Sequence, residues 1–354
     1  MTAWLRARVK YAALLTLAAT GAFRWARRRL MAERAIVVLM FHRVLEATDE
    51  ASTHSLPAIV IGRSTFTALL RHLTRSADVL PADTHGRFVQ RGSQRPQVLL
   101  TFDDGWEDNA RVAWPELAAA GLPAAIFICP GQMDTLEPFW PERAVAASGR
   151  TRRDAHMLVE RLKGFPRSVR ESWIAEHGLD RPAPAAVDRT MDWDTARAMH
   201  QAGVVFGSHT YAHDILPQLT PRTAVDDLTR ARAAIEQTFG AECRLLAYPN
   251  GDTSAATRRA AAAAGYRLAF TTREGAWTTD VHPLDIPRVN VCESRVTTPG
   301  GRFSRVAFAY IAFWQPFVAW VRQGGRHEWS TRAFGRGLGA PERSSRQRPV
   351  SSHS

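Results

Sequence analysis

Short apolar runs alternate with helix-like stretches across residues 36–292, and this alternation constrains the fold more than any other feature. Several of the apolar runs contain almost no polar residue, which is typical of parallel strands that are covered on both faces. The pattern predicts an α/β fold built from βα repeats, with the sheet either open or closed into a barrel. The predicted strands are 36–41, 97–102, 124–128, 203–207, 244–248 and 266–271, and the predicted helices are 65–76, 109–120, 192–202, 221–239 and 254–264.

Residues 139–190 interrupt this alternation. They are rich in Arg, Pro and Trp, and they predict a helical insertion. We find no internal repeat of fixed period and no sign of a second folded domain. In a barrel of βα repeats the site forms at the carboxyl ends of the strands, so polar residues directly after predicted strands are the candidates for chemistry.

Two predicted strands end in unusual polar residues. Asp103 and Asp104 lie in the motif TFDDG, and His209 and His213 lie in the motif SHTYAH. Histidines four residues apart share one face of a helical turn, and two histidines with one carboxylate bind a zinc-type ion and leave a position open for water. Either motif alone has an ordinary explanation, because paired acids often cap turns and an HxxxH spacing is common by chance. Together they predict a metal site.

The order of these motifs resembles the polysaccharide deacetylase family, the chitooligosaccharide deacetylase homology domain of carbohydrate esterase family four, and within it the exopolysaccharide-type members. The resemblance spans about 36–292, and it includes FHRV (41–44), STFxxxLxxL (64–73), AYPNGD (247–252) and LDIPRVNV (284–291). It implies a distorted (β/α) barrel of seven repeats. It also implies metal-dependent hydrolysis of the N-acetyl groups on amino sugars of a poly- or oligosaccharide.

The resemblance assigns roles to the four motif residues. Asp103 matches the general base, and Asp104, His209 and His213 match the metal ligands, with Zn²⁺ the first candidate and Co²⁺ or Ni²⁺ the alternatives. Such a metal lowers the pKa of a bound water toward about 7, and Asp103 takes the proton of that water as it attacks. Arg288, in LDIPRVNV, is the candidate that holds Asp103 ionised. A surface ion pair is the alternative for this arginine.

Three further residues are candidates for oxyanion or substrate contacts. Many family members have a Tyr after the Pro of AYPNGD, and its backbone N–H serves the oxyanion. This chain has Asn250 there, and a backbone donor tolerates the exchange. A tight turn explains the motif equally well. Tyr248 and Trp140 are the other two candidates, and core packing is the alternative for the tryptophan.

The general acid has no clear motif. Many family members carry a late Leu-x-x-His motif for this role, and this sequence contains none. His42, in FHRV, resembles the histidine of exopolysaccharide-type members. We predict that His42 donates a proton to the leaving amine or contacts the substrate.

The net charge of +12 lies at the two ends of the chain. Residues 1–35 and 301–354 each carry a net +7, so 36–300 carries −2, which argues against a nucleic-acid function for the central domain. An apolar run at 11–23 is too short to span a bilayer easily, so it is either a membrane-surface helix or an uncleaved signal anchor. The aromatic run at 306–321 is either an interfacial segment or a helix packed on the domain.

These patterns divide the chain into four parts: a membrane-associating or signal-anchor-like segment (1–35), the deacetylase domain (36–300), an apolar aromatic helix (301–323) and a disordered basic tail (324–354). We expect a membrane-associated protein of the bacterial inner membrane or cell envelope, with the cytoplasm as the alternative. We expect an N-acetylated glycan substrate. The functional alternatives are an O-acetyl esterase or another amide deacylase, and a non-catalytic glycan-binding protein.

Overall fold

A computed structural model describes residues 3–82, 94–178 and 185–324 of the chain. The strands of this part are β1 (Ile36–Phe41), β2 (Arg43–Leu45), β3 (Val60–Gly62), β4 (Asp78–Val79), β5 (Gln97–Phe102), β6 (Ala125–Ile128), β7 (Val205–Ser208), β8 (Leu245–Ala247), β9 (Leu268–Phe270) and β10 (Val289–Asn290). The helices are α1 (Ala3–Ala19), α2 (Ala22–Ala32), α3 (Ala47–Ser52), α4 (Arg63–Ser76), α5 (Trp114–Ala120), α6 (Trp140–Ser148), α7 (His156–Lys163), α8 (Arg167–Gly178), α9 (Trp193–Gln201), α10 (Pro221–Phe239), α11 (Ala255–Ala263), α12 (Glu293–Val296), α13 (Arg305–Ala309) and α14 (Gln315–Arg322).

Seven parallel strands form one curled sheet in the order β10-β1-β5-β6-β7-β8-β9, and β4 also pairs with β5. A parallel bridge between Phe270 and Ile286 connects the β9 edge to the segment that leads into β10, so the sheet curls toward closure. The predicted distorted (β/α) barrel with seven repeats is confirmed. Because all seven strands run in one direction, their carboxyl ends meet at one rim.

The strands have apolar side chains on both faces because both faces are covered. In β1, Val37, Leu39 and Phe41 pack in the large cluster under the outer helices, while Ile36 and Val38 pack in the smaller cluster inside the barrel. This alternation follows from the two-residue period of a strand. A run of consecutive apolar residues is therefore the expected sequence for this position.

The six predicted strands lie where the apolar runs placed them, to within about three residues. The prediction did not include β10, which has two residues, or the short strands β2, β3 and β4. The predicted helix at 109–120 begins with a π turn at Asn109–Ala113 and continues as α5. The predicted insertion forms α6, α7 and α8, which enclose a small apolar core of their own.

The two ends of the described chain pack against each other. Phe23 of α2 contacts Tyr310 and Trp314, and Trp25 contacts Phe317 of α14. The run at 306–321 thus packs on the domain, since several of its aromatic and aliphatic side chains are buried in the large cluster. Among the residues that the structure describes, no helix is both long enough and apolar enough to cross a membrane. The tail predicted for 324–354 lies outside the described residues, except for Gly324.

Candidate active site

A cavity of about 320 Å³ opens at the carboxyl ends of the strands. This volume is at the lower end of the range for small-molecule sites. Part of the lining comes from residues that follow β1, β5, β7 and β8, and another part comes from the insertion helices α6 and α7. The polar lining includes His42, Asp103, Asp104, His209, His213 and Asn250 on the strand side, and Glu142, His156, Glu160 and Lys163 on the insertion side.

Asp104, His209 and His213 converge at the base of the strand-side wall. Asp104 Oδ1 lies 3.3 Å from His209 Nε2 and 3.4 Å from His213 Nε2, and one potential ligand atom from each residue lies within 4.8 Å of the other two. Asp104 Oδ1 is buried, and it makes no well-aligned hydrogen bond with the described part of the chain. Three donor atoms aimed at one point, with one of them a buried and unsatisfied carboxylate oxygen, fit a divalent metal ion.

Neighbouring groups orient these donor atoms. His209 Nδ1 lies 2.8 Å from the Ala247 carbonyl oxygen. Because a carbonyl only accepts, Nδ1 carries the proton, and the lone pair of Nε2 points into the cluster. Trp106 Nε1–H donates to Asp104 Oδ2 at 2.8 Å, which leaves Oδ1 for the metal. Trp106 is therefore a buried support for the cluster.

The backbone at TFDDG is in an unusual conformation. Asp104 has φ of 76°, and Gly105 has φ of 75°. A left-handed conformation is strained for a non-glycine residue, and it turns the Asp104 side chain toward the two histidines. A Cβ at position 105 would lie 2.7 Å from Cγ2 of Ile128, so a glycine is required there.

The two histidines do not share a helical turn as the spacing predicted. Residues 209–213 form a turn, in which Thr210 and His213 have φ of 63° and 59°. The Nε2 atoms still converge, because the turn reverses the chain and the His213 ring packs on Phe139, with ring centroids 5.1 Å apart. The structure thus brings the predicted ligands together by a different backbone path.

Asp103 pairs with Arg288 next to this cluster. Arg288 Nη1 donates to Asp103 Oδ1 at 2.7 Å and Nη2 donates to Oδ2 at 2.6 Å, a two-point contact between two buried groups. Burial alone would raise the pKa of Asp103, but Arg288 and then His209 lower it, and the net pKa lies below the ordinary value. Asp103 is thus held as a carboxylate, which is the form that a base requires. Because Arg288 is fully buried, the alternative of a surface ion pair is wrong.

His42 lies at the edge of the same wall. Its Nε2 is 3.9 Å from Asp103 Oδ2, and its Nδ1 is buried without a partner in the described chain. Burial lowers the pKa of His42, and this effect outweighs the opposing charges of Asp104 and Asp103. Asn250 also lines the cavity, with φ of 59° in the turn after β8. The structure therefore places both residues beside the predicted metal site.

Two predicted substrate contacts are not at the cavity. Tyr248 is fully buried in the large apolar cluster, and its hydroxyl donates to the Leu284 carbonyl at 3.0 Å. Trp140 packs in the core of the insertion, with the Arg170 guanidinium 4.9 Å from its ring centroid. Both side chains are buried in apolar clusters and neither lines the cavity, so the structure does not bring these two predicted contacts to the site.

A buried polar network behind the cavity was not predicted. Arg43, in FHRV, donates to Asp108 at 2.6 Å, to Asp188 at 3.0 Å and to Ser55 at 2.7 Å. Ser55 in turn donates to Glu142 at 2.8 Å. The network joins β2 to the insertion. The motif FHRV was its only signal in the sequence, because the residues that bond to Arg43 are scattered along the chain.

Comparison with known proteins agrees with this geometry. The family model described as polysaccharide deacetylase matches residues 90–269. A protein of Bacillus subtilis (strain 168), YxkH, which carries the name polysaccharide deacetylase, is 25% identical over 194 residues, or 55% of this chain and 51% of its own length. The match thus spans about half the length of that relative.

Two solved structures share the fold. The Streptococcus pyogenes deacetylase PplD in complex with acetate has a TM-score of 0.52 and 18% identity, covering 75% of this chain and 96% of its own. IcaB from Ammonifex degensii has a TM-score of 0.50 and 20% identity, covering 80% of this chain and 97% of its own. The family predicted from the motifs is confirmed, and the chain belongs to the polysaccharide deacetylase family of hydrolases.

Proposed function

We propose that this protein is a metal-dependent hydrolase that removes N-acetyl groups from amino sugars of a poly- or oligosaccharide. One observation carries this proposal: Asp104, His209 and His213 converge beside the Asp103–Arg288 pair within one cavity. A metal-ligand set next to an ionised carboxylate can hydrolyse an unactivated amide, because the metal would acidify water and the carboxylate would accept its proton. The resemblance of the motif FHRV (41–44) to exopolysaccharide-type family members favours an exopolysaccharide as the glycan.

The metal ligands, the base and the acid have separate roles in the proposed reaction. A divalent metal held by Asp104, His209 and His213, most simply Zn²⁺, supplies Lewis acidity, which polarises the acetyl carbonyl and acidifies water. Asp103 accepts a proton from the attacking water, and Arg288 keeps Asp103 ionised and fixed. His42, which is neutral beforehand because burial lowers its pKa, would take up the proton that Asp103 accepted and pass it to the leaving nitrogen as the C–N bond breaks.

Negative charge develops on the acetyl oxygen during the attack. The backbone N–H at Asn250 is the proposed donor to this oxygen, and the presence of Asn250 in the lining of the cavity supports this role. The role needs only the backbone, so it does not depend on the asparagine side chain. Acetate and the free amino sugar are the products.

Acetate release tests whether the protein hydrolyses the N-acetyl bond of an amino sugar. Purified protein with Zn²⁺ or Co²⁺ is expected to release acetate from N-acetylglucosamine oligomers, measured by an enzyme-coupled acetate assay. A variant with both Asp103→Asn and His213→Ala gives the background. Release only from O-acetylated sugars would favour the esterase alternative, and glycan binding without release from either substrate would favour the non-catalytic alternative.

We also propose that α1 contacts an anionic membrane surface. Its apolar side chains Trp4, Val9 and Leu15 are 59%, 55% and 46% exposed, which is unusual for large apolar groups in a folded domain. The helix has 17 residues, or about 26 Å of length, and it carries exposed basic side chains. Exposed apolar groups among basic residues are typical of helices that lie in the lipid headgroup layer.

Vesicle sedimentation tests this contact. The protein is expected to sediment with vesicles rich in phosphatidylglycerol at low salt, to do so less at high salt because ions screen the attraction, and not to sediment with phosphatidylcholine alone. Replacing Arg6, Arg8 and Lys10 of α1 by Glu should abolish sedimentation, whereas replacing three exposed arginines outside α1 by Glu should not. The matched control carries Glu at Arg150, Arg153 and Arg222. A wild-type protein that ignores the anionic vesicles at low salt would contradict the proposal.

A further inference from the structure

The insertion-side wall of the cavity contains a buried carboxyl group that the proposed reaction does not use. Glu142 lies in the first turn of α6, its residue is 2% exposed, and it lines the same cavity as Asp104 and His209. Buried acids are rare unless they are paired. No arginine or lysine contacts Glu142 in the described chain, so an ion pair does not account for its position.

The two oxygens of Glu142 are in different situations. Oε1 accepts a hydrogen bond from Ser55 Oγ at 2.8 Å. Oε2 is buried and has no hydrogen-bond partner in the described chain. A buried polar atom without a partner is costly, so a ligand or an ordered water is expected to satisfy it. Since Glu142 lines the cavity, a ligand in the cavity is the candidate partner for Oε2.

The surroundings of Glu142 favour the neutral acid. Burial raises its pKa to about 8, and the charge of Asp188 adds to this effect, while Ser55 and Arg43 oppose it and Asp104 contributes a smaller increase. His54 pairs with Asp188 behind the group, and His156, Glu160 and Lys163 line the same wall of the cavity. Near pH 7 the group therefore offers an O–H donor and a C=O acceptor.

We propose that Glu142 is a glycan-binding residue that donates a hydrogen bond from its neutral carboxyl group to an oxygen of a sugar in the cavity. A sugar hydroxyl matches such a group, because both partners donate and accept and neither carries a charge. Glu142 lies on an insertion helix and is not among the residues assigned to hydrolysis, so its proposed role is to bind the glycan. This role rests on the proposed function for the class of ligand.

Direct binding tests the role without relying on turnover. The probe is a β-linked N-acetylglucosamine pentamer, titrated calorimetrically at pH 7 into metal-stripped full-length protein. Glu142→Ala is expected to weaken binding about five- to tenfold, in line with the loss of one hydrogen bond. Glu142→Gln keeps a neutral donor and acceptor, so it is expected to bind within about twofold of wild type. Ser55→Ala is the structural control: it removes the internal partner of Glu142 Oε1 and one acceptor of Arg43 but leaves the Glu142 carboxyl group in place, so it is expected to bind the pentamer like wild type.

A pH series distinguishes a glycan contact from a merely structural role. Wild-type binding of the pentamer should weaken as the pH rises above about 8, where Glu142 ionises. Binding by Glu142→Gln should not weaken over the same pH range, because the amide does not ionise. This comparison remains informative even if Glu142→Ala fails to fold. Equal binding by wild type and a folded Glu142→Ala, or parallel pH curves for wild type and Glu142→Gln, would overturn the proposal.

The kinetic assay separates this proposal from the proposed function. With metal restored, Glu142→Ala should raise KM and leave kcat nearly unchanged. If Glu142→Ala releases acetate with the KM of wild type, the role of Glu142 is refuted and the proposed function stands. Glycan binding that depends on Glu142, without acetate release from any variant, would refute the proposed function alone.

Discussion

Replacing Asp103 by Asn is expected to lower kcat for acetate release by about 10²–10⁴-fold, the usual contribution of a general base, while metal binding is kept. Asparagine has the shape of aspartate but cannot accept the proton of water. Arg288 would lose both contacts to a carboxylate: the asparagine oxygen accepts one hydrogen bond without a negative charge, and the NH₂ group cannot accept the other. The measurement pairs steady-state acetate release with a metal titration of the same preparation.

Asp104→Asn is the matched control, since it changes the neighbouring carboxylate in the same way. It is expected to weaken metal binding strongly, because Asp104 Oδ1 is one of the three converging ligand atoms. Activity should then fall together with metal content. If Asp103→Asn loses the metal and Asp104→Asn keeps it, the roles of the two aspartates are exchanged.

Replacing Arg43 by Met is expected to lower the free energy of unfolding by about 3–5 kcal/mol, the usual cost of breaking a buried ion pair from one side. The methionine would leave Asp108 and Asp188 buried without their cation. It would also remove the guanidinium that lies 4.1 Å from the ring centroid of Trp106, the residue that holds Asp104. Chemical denaturation followed by tryptophan fluorescence measures the change.

Arg63→Met is the control, because Arg63 also bonds two carboxylates but lies at the surface. Its partners Glu46 and Glu116 keep their access to water when the arginine is lost, so stability should hardly change. Surface ion pairs contribute less than about 1 kcal/mol to the free energy of unfolding. If Arg43→Met lowers that free energy by no more than this, water reaches the two aspartates and the expected burial cost is absent.

The sequence allowed the sheet to be predicted well because its signal is local. The run 36–41 is apolar at every position, and 97–102 is apolar except for Gln97 and Thr101. Such runs favour parallel strands with two covered faces. The strand ends then indicated where Asp103 and His209 would lie. The motifs supplied the partner residues, including Arg288, which is 185 positions from Asp103 in the chain.

The rest depends on side-chain direction and long-range contacts, which local patterns do not contain. Tyr248 and Trp140 are close in sequence to residues that line the cavity, but their own side chains are buried in apolar cores. Glu142 belongs to no motif in the sequence, and only the folded insertion brings it to the lining of the cavity. Arg43 meets aspartates that are 65 and 145 residues away, and no spacing rule connects them.

The most direct test of the proposed metal-dependent hydrolysis is reconstitution of the metal-free protein. Chelator-treated protein is titrated with Zn²⁺ while acetate release from an N-acetylglucosamine oligomer and bound metal are measured on the same samples. The structure predicts no release without metal, and release that rises in proportion to bound metal until one ion per chain is bound. The His213→Ala variant should remain inactive at the same Zn²⁺ concentrations. Full acetate release by the metal-free protein, or by His213→Ala, would contradict the proposed function.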